Sequence, residues 1–170
     1  MRIAAGLFTV LGILALAASP AAAGTVTITF SENGLVHGDE LTTDIAGLTV
    51  SAYNDDSDGP DKAVIFDSTK INTRDPDLED PWSGGNLDED FFLGNLLILQ
   101  ENSDGIGDGK ADNPDDEGSR PAGDLIFEFD FDATAIGWDC VDIEELSEGT
   151  TLYVYSGTTL VGSQAFSSIS

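Results

Sequence analysis

The sequence has little of the chemistry that most catalytic and metal centres use. Its 170 residues include one cysteine and one histidine. So small a supply excludes a zinc site of Cys and His ligands, an internal disulfide framework and a Cys–His catalytic pair. The G-x-S-x-G spacing of a nucleophile elbow does not occur either. We therefore predict a protein that is not an enzyme.

Positive charge is equally scarce. The chain has 6 Lys and Arg residues against 32 Asp and Glu residues, for a formal net charge of −26. A polyanion of this strength repels nucleic-acid phosphates and anionic lipids, so we expect neither as a partner. It attracts cations instead.

The first 23 residues have the features of a secretory signal peptide. Arg2 is their only charge, residues 3–18 are an apolar run, and Ala21 and Ala23 supply the small residues of a cleavage site. The run is shorter than the roughly 20 residues of a membrane-spanning helix. We predict cleavage after Ala23 and a domain of residues 24–170 that is not inserted in a membrane and is either secreted freely or held at the cell surface.

Hydrophobic residues alternate with polar ones along most of the remaining chain, and the helical period is missing. The segments 63–66 and 96–99 are instead continuously apolar, as in strands buried on both faces. We predict an all-β, antiparallel β-sandwich of jelly-roll type. Because its last hairpin reaches residue 170, we expect a domain truncated at its C-terminus. The predicted strands are residues 25–30, 48–53, 63–66, 96–99, 125–131, 136–140, 152–155 and 160–161.

Two long connections hold much of the acid: residues 67–93 and 102–123, called the acidic loops below. Crowded carboxylates repel each other unless a cation neutralises them, and calcium accepts six to eight oxygen ligands in loose geometry. The EF-hand pattern fails in the second loop, so a calcium site would be assembled from several loops. A solvated acidic surface is the alternative. The predicted metal ligands are Asp67, Asp75, Asp77, Glu101, Asp104, Asp108, Asp115, Asp116 and Glu117.

Four further side chains carry predictions. Arg120 follows three acids in the second acidic loop and is expected to form a structural ion pair with them. The aromatic rings of Trp82 and Tyr53 are candidates for stacking on sugars, with core packing as the alternative. Cys140 alternates with apolar residues in a strand-like segment and is expected to be a small buried side chain.

Several segments together resemble a known class of proteins. They are AVIFDS, DPDL, GNLLILQEN, NPDDEGSRPAG, and IFEFDF leading to GWDCVDIEE. With the signal peptide, they resemble the β-sandwich ectodomains of bacterial exported proteins sorted by exosortase, the PEP-CTERM class, over roughly residues 25–166. The resemblance implies an envelope or exopolysaccharide-matrix protein without assigned catalysis. The Pro-Glu-Pro motif, membrane helix and basic cluster that end such proteins do not occur in the 170 residues.

Three functions are compatible with these features. The leading hypothesis is a non-enzymatic extracellular module of the cell surface or biofilm matrix, stabilised by calcium and able to contact polysaccharide. A secreted glycan-active hydrolase using two carboxylates is the second. The third is a purely structural acidic surface protein.

Overall fold

The computed structural model describes residues 2–6, 10–15, 25–84, 87–103, 105, 108–143 and 149–167. Its strands are β1 (Arg2–Gly6), β2 (Val10–Ala15), β3 (Thr25–Thr27), β4 (Leu48–Asn54), β5 (Ala63–Asp67), β6 (Trp82–Gly84), β7 (Leu87–Phe91), β8 (Asn95–Leu99), β9 (Gly123–Phe129), β10 (Gly137–Cys140), β11 (Gly149–Ser156) and β12 (Thr159–Ser167). The helical segments Glu32–Gly34 and Pro76–Leu78 are short 3-10 turns. In these described ranges, no helix is long and apolar enough to span a membrane.

The strands pair antiparallel in four sheets. A five-stranded sheet has the order β12-β11-β1-β9-β4, and a three-stranded sheet has the order β10-β2-β3. The strands β5 and β8 form one pair, and β6 and β7 form another. The predicted all-β, antiparallel fold is confirmed.

Each strand predicted from the sequence contains or overlaps an observed strand. The alternation around residues 125–131 gives β9, whose residues Leu125 and Phe127 are buried. Two strands in the first acidic loop, β6 and β7, were not predicted. The sequence of β7 is Leu-Asp-Glu-Asp-Phe, and three consecutive acids hide the apolar pattern on which a strand prediction depends.

The pair β5–β8 is buried on both faces, as the two continuous apolar runs predict. Side chains on one face, including Ile65 and Leu97, join the larger apolar core with residues of β4, β9 and β11. Those on the other face, including Phe66 and Leu96, join a second, smaller core. The two strands therefore form a wall shared by two hydrophobic clusters.

Part of the predicted signal peptide lies inside the sheets. The strand β1 lies between β9 and β11 and is antiparallel to both, so β9 and β11 run parallel to each other. The strand β2 lies between β10 and β3. Signal-peptide cleavage stays a prediction, and it would open two interior strand positions.

Candidate metal site

The acidic loops are attached to the second core. Leu78 from the first loop is fully buried there, and Ala111 from the second loop is buried beside it. Trp82 and Leu93 pack against the same cluster. Apolar anchors thus bring acids from two distant parts of the sequence next to the end of β8.

Backbone hydrogen bonds fix the register of the second loop. The N–H of Glu101 donates to the carbonyl of Asp115 at 2.9 Å, and the N–H of Glu117 donates to the carbonyl of Leu99 at 3.0 Å. Residues 115–117 therefore run alongside the end of β8. This register places Asp116 beside Asp75 of the first loop and Asp115 beside Glu101.

The first carboxyl pair joins the two acidic loops. Asp75 is buried, and one of its carboxyl oxygens accepts the backbone N–H of Asp116 at 3.3 Å. Burial raises the pKa of Asp116 to about 9, with further contributions from a side-chain hydrogen bond to Asp75 and from the charge of that residue. At neutral pH this pair holds a proton that an exposed aspartate would release.

The second carboxyl pair consists of Glu101 and Asp115. A side-chain hydrogen bond with Asp115 is the main cause that raises the pKa of Glu101 to about 7, followed by burial. The guanidinium Nε of Arg74 forms an ion pair with the carboxylate of Asp115. The positive charge of Arg74 therefore lies at this pair, together with the charges of Asp115 and Glu117 that act on Glu101.

The carboxylate of Glu117 is held separately. Its side chain is only 1% exposed, and its two oxygens accept hydrogen bonds from Asn54 Nδ2 at 2.8 Å and from the backbone N–H of Ser119 at 2.7 Å. The sequence prediction placed Glu117 among the metal ligands but missed its neighbour, the turn of residues 54–61. We call this segment, Asn-Asp-Asp-Ser-Asp-Gly-Pro-Asp, the acidic turn.

A signal for the acidic turn is visible in the sequence. Asn54, Asp56, Asp58 and Gly59 fit positions 1, 3, 5 and 6 of an EF-hand calcium loop, except that position 1 is usually Asp. The bidentate Glu of position 12 is missing, since that position holds Ile65. In the fold, the turn is closed by hydrogen bonds from Asp56 N–H to Asn54 Oδ1 at 2.8 Å and from Asp58 N–H to Asp56 Oδ1 at 2.9 Å.

Three of the predicted metal ligands lie apart from the carboxyl pairs. Asp67 accepts hydrogen bonds from Thr69 at the end of β5. Asp77 is exposed, and Asp108 is exposed and accepts from the N–H of Lys110. Asp104 lies outside the described residues. Within the described ranges, no three acidic, His or Cys side chains converge as a metal-binding group.

The remaining predicted residues have varied surroundings. The indole N–H of Trp82 donates to the carbonyl of Asp77 at 3.0 Å while its ring packs on the second core, which favours a structural role. Tyr53 is 53% exposed on β4 and is open to a ligand. Arg120 is exposed, and its pairing with the neighbouring acids stays a prediction. Cys140 is half-buried, and burial raises the pKa of its thiol to about 12, which makes it a poor nucleophile.

Comparison with protein families, with curated proteins and with solved structures finds no match to this chain. Its function is therefore inferred from the residues and contacts described above.

Proposed function

We propose that this protein is a secreted, non-enzymatic β-sandwich module of jelly-roll type, belonging to a bacterial cell surface or biofilm matrix and stabilised by calcium. The two carboxyl pairs, Asp75–Asp116 and Glu101–Asp115, carry the proposal. Resemblance of the sequence to exosortase-sorted proteins supports the extracellular setting. Polysaccharide is the proposed partner.

The carboxyl pairs favour a bound cation, because without one each pair must hold a proton to avoid repulsion between two carboxylates. Like charges at hydrogen-bond distance cannot both be ionised without a large cost. A divalent cation removes this cost by replacing the shared proton, and carboxylate and carbonyl oxygens are the ligands that calcium prefers. Calcium also accepts water as a ligand, so one carboxyl pair with nearby carbonyls is a sufficient start for a site.

Calcium fits these loops better than magnesium does. Magnesium requires near-ideal octahedral geometry and gives up its water reluctantly, whereas calcium tolerates irregular sets of oxygens. Asp75 and Asp116 come from different loops whose relative position is set by Leu78 and Ala111 rather than by one short motif. A site formed in this way has irregular ligand geometry, which calcium tolerates better than magnesium does.

The acidic turn supplies a second location for calcium. Asp56 and Asp58 occupy positions 3 and 5 of an EF-hand-like pattern in which Asn54 is position 1. Glu117 contacts Asn54, so a buried carboxylate is already present at the start of the pattern. Reorientation of Glu117 toward a bound ion would supply the role of the missing Glu.

Contact with polysaccharide is proposed through exposed tyrosines. Tyr53 on β4 and Tyr153 on β11 are both exposed members of the five-stranded sheet. An exposed tyrosine offers a sugar ring an apolar face and a hydroxyl for hydrogen bonding. Binding of the protein to a panel of purified exopolysaccharides, lost in Tyr53→Ala, would test this part.

Hydrolysis of glycans is less well supported. Glu101, with its pKa near 7, has the titration expected of a general acid. However, its carboxyl group is hydrogen-bonded to that of Asp115, whereas glycosidase carboxyls lie roughly 5 to 9.5 Å apart with the sugar between them. Release of reducing sugar by the purified protein, abolished in Glu101→Gln, would overturn the non-enzymatic proposal.

Thermal melting tests the calcium proposal. We expect melting in calcium to occur a few degrees above melting in EGTA, because a ligand at about a hundredfold excess over its Kd stabilises by roughly 2.7 kcal/mol. Magnesium should have a smaller effect, and sodium chloride at matched ionic strength should not reproduce it.

Two double variants locate the ion. Asp75→Asn/Asp116→Asn should lose most of the calcium response and melt higher in EGTA at neutral pH, since folding no longer requires this pair to take up a proton. Asp130→Asn/Asp132→Asn, which removes two exposed acids outside the acidic loops, should keep the response. If sodium and calcium stabilised the unmodified chain and both variants equally, the calcium proposal would be wrong and the acids would form only a solvated surface.

A further inference from the structure

The C-terminal hairpin, made of β11 and β12, is free of charge. Residues 149–170 contain no Asp, Glu, Lys or Arg in a chain of net charge −26. This is the longest uncharged stretch after residue 32. Two copies of such an acidic protein repel each other over most of their surfaces, but not here.

The strand β12 forms an edge of the five-stranded sheet. It pairs with β11 on one side, and no other described strand pairs with its opposite side. Residues 159–165 are all exposed, including Leu160 at 50% and Val161 at 60%. Edge strands are usually protected by charges, prolines or bulges. Here the only such device is the bulge opposite Val154 and Tyr155.

An apolar groove runs beside this edge. Its volume is about 610 Å³, and it separates β12 from β10, the edge strand of the three-stranded sheet. The rings of Trp138 and Phe166 meet edge-to-face there, with centroids 5.3 Å apart. The groove is lined in part by Ile136, Trp138, Leu152, Val154, Gln164 and Phe166.

We propose that β12 is a homodimer interface, in which the free edges of two copies pair antiparallel about a two-fold axis. Antiparallel self-pairing is the arrangement that a two-fold axis imposes on identical strands. It joins the two five-stranded sheets into one and satisfies the backbone groups that each edge leaves open. The groove of each copy then receives an exposed apolar side chain of the other, with Leu160 as the nearest candidate, since Val161 lines the groove of its own copy.

A second copy is the occupant that the charge pattern favours. Its β12 is uncharged and brings no carboxylate to the interface, whereas the rest of the chain carries 32 Asp and Glu residues against 6 Lys and Arg residues. The free edge of β12 faces away from β11 and β1. Because β11 joins the sheet through β1, the proposal is made for the full chain, and it is independent of the calcium proposal.

Sedimentation velocity of the full chain tests the interface. From about 1 to about 200 µM protein, we expect a monomer–dimer equilibrium that shifts toward dimer in added sodium chloride, because salt screens the repulsion between the acidic copies. Ser163→Glu/Gln164→Glu places four carboxylates at the paired edges and should weaken dimerisation about tenfold or more. Ser156→Glu/Thr158→Glu adds the same charge at the turn of the hairpin and should weaken it much less.

Cross-linking covers the case in which the charged variant does not fold. In a Cys140→Ser background, single cysteines at positions 162–166 should form disulfide dimers fastest at one or two adjacent positions, where the strands cross the two-fold axis. Cysteine at position 158 should not. A chain that stays monomeric throughout, dimers that are equally sensitive to both charge variants, or cross-linking without positional preference would each overturn the proposal.

Discussion

The acidic loops and the C-terminal hairpin differ in the kind of group that each leaves unsatisfied. In the loops, the carboxyl groups of buried Asp75 and half-buried Asp116 lie against each other and need a proton or a cation. In the hairpin, apolar side chains such as Leu160 are exposed on a stretch of sequence that carries no charge. The loops therefore point to a small ion as partner, and the hairpin points to another strand. A single composition, strongly acidic on average, hides this division.

Removal of residues 1–23 should give the largest difference in stability between the hairpin and the acidic loops. Among the described strands, the hairpin reaches the five-stranded sheet only through β1, whereas the acidic loops are attached to β5 and β8. In the chain that begins at Gly24, amide hydrogens of β11 should exchange at least about tenfold faster than in the full chain, with little change in β5.

If β9 and β11 paired directly in place of β1, the amide hydrogens of β11 would stay protected. Without β1, the neighbours β9 and β11 could pair only as parallel strands, unless one of them reverses. Equal protection of β11 in both chains would show that the hairpin is held independently of β1. Exchange measured by mass spectrometry distinguishes these outcomes, and the exported protein should show Gly24 as its N-terminus.

Leu78→Ala should break the loop region while leaving the hairpin intact. Leu78 is fully buried and anchors the first acidic loop, so its truncation should cost about 2–5 kcal/mol of unfolding free energy and should diminish the calcium response. Leu160→Ala, at an exposed position of β12, should change stability by only about 0.5 kcal/mol or less. Urea unfolding measures both. A calcium response unchanged in Leu78→Ala would contradict the role given to this anchor.

The pH dependence of melting should come from the carboxyl pairs of the loops and not from the uncharged hairpin. An acid whose pKa is higher in the folded state stabilises the fold while protonated. The contribution is therefore complete below the ordinary values of 4.5 for Glu101 and 3.8 for Asp116, and it is lost as pH rises through about 7 and about 9. In EGTA, the melting temperature should fall steadily from about pH 5 to about pH 9 as these groups lose their protons.

Calcium should reverse that trend. Because the ion binds the deprotonated carboxyls, its stabilising effect should grow as pH rises. In Asp75→Asn/Asp116→Asn, both the fall in EGTA and the gain in calcium should be reduced. Differential scanning calorimetry at several pH values measures these slopes, and parallel curves with and without calcium would argue against binding at the carboxyl pairs.

The sequence predicts the strands well where one face or both faces are apolar. The runs at residues 63–66 and 96–99, and the alternation of β9, each appear in the fold as expected. The set of calcium ligands stays a prediction, and nearness in sequence does not decide which acids lie together in the fold. Asp77 lies only two residues from Asp75, yet one is exposed and the other is buried.

Other contacts depend on tertiary structure and leave no local pattern. Asn54 and Glu117 are separated by 63 positions, and Arg74 and Asp115 by 41. The first contact joins the end of β4 to the second acidic loop, and the second contact joins the two acidic loops. The strands β1 and β2 were not expected because the same apolar residues that suit a sheet also suit a signal peptide.

The shared wall formed by β5 and β8 has a consequence for how this sequence can change over evolution. In β4, outward residues such as Thr49 and Ser51 are free to vary, because only alternate positions are buried. The wall has no such freedom, since Val64 and Ile65 face different cores and both are completely buried. Descendants of this chain should therefore diverge fastest in outward-facing and loop residues and keep the two short apolar runs, which would be the most durable mark of common ancestry.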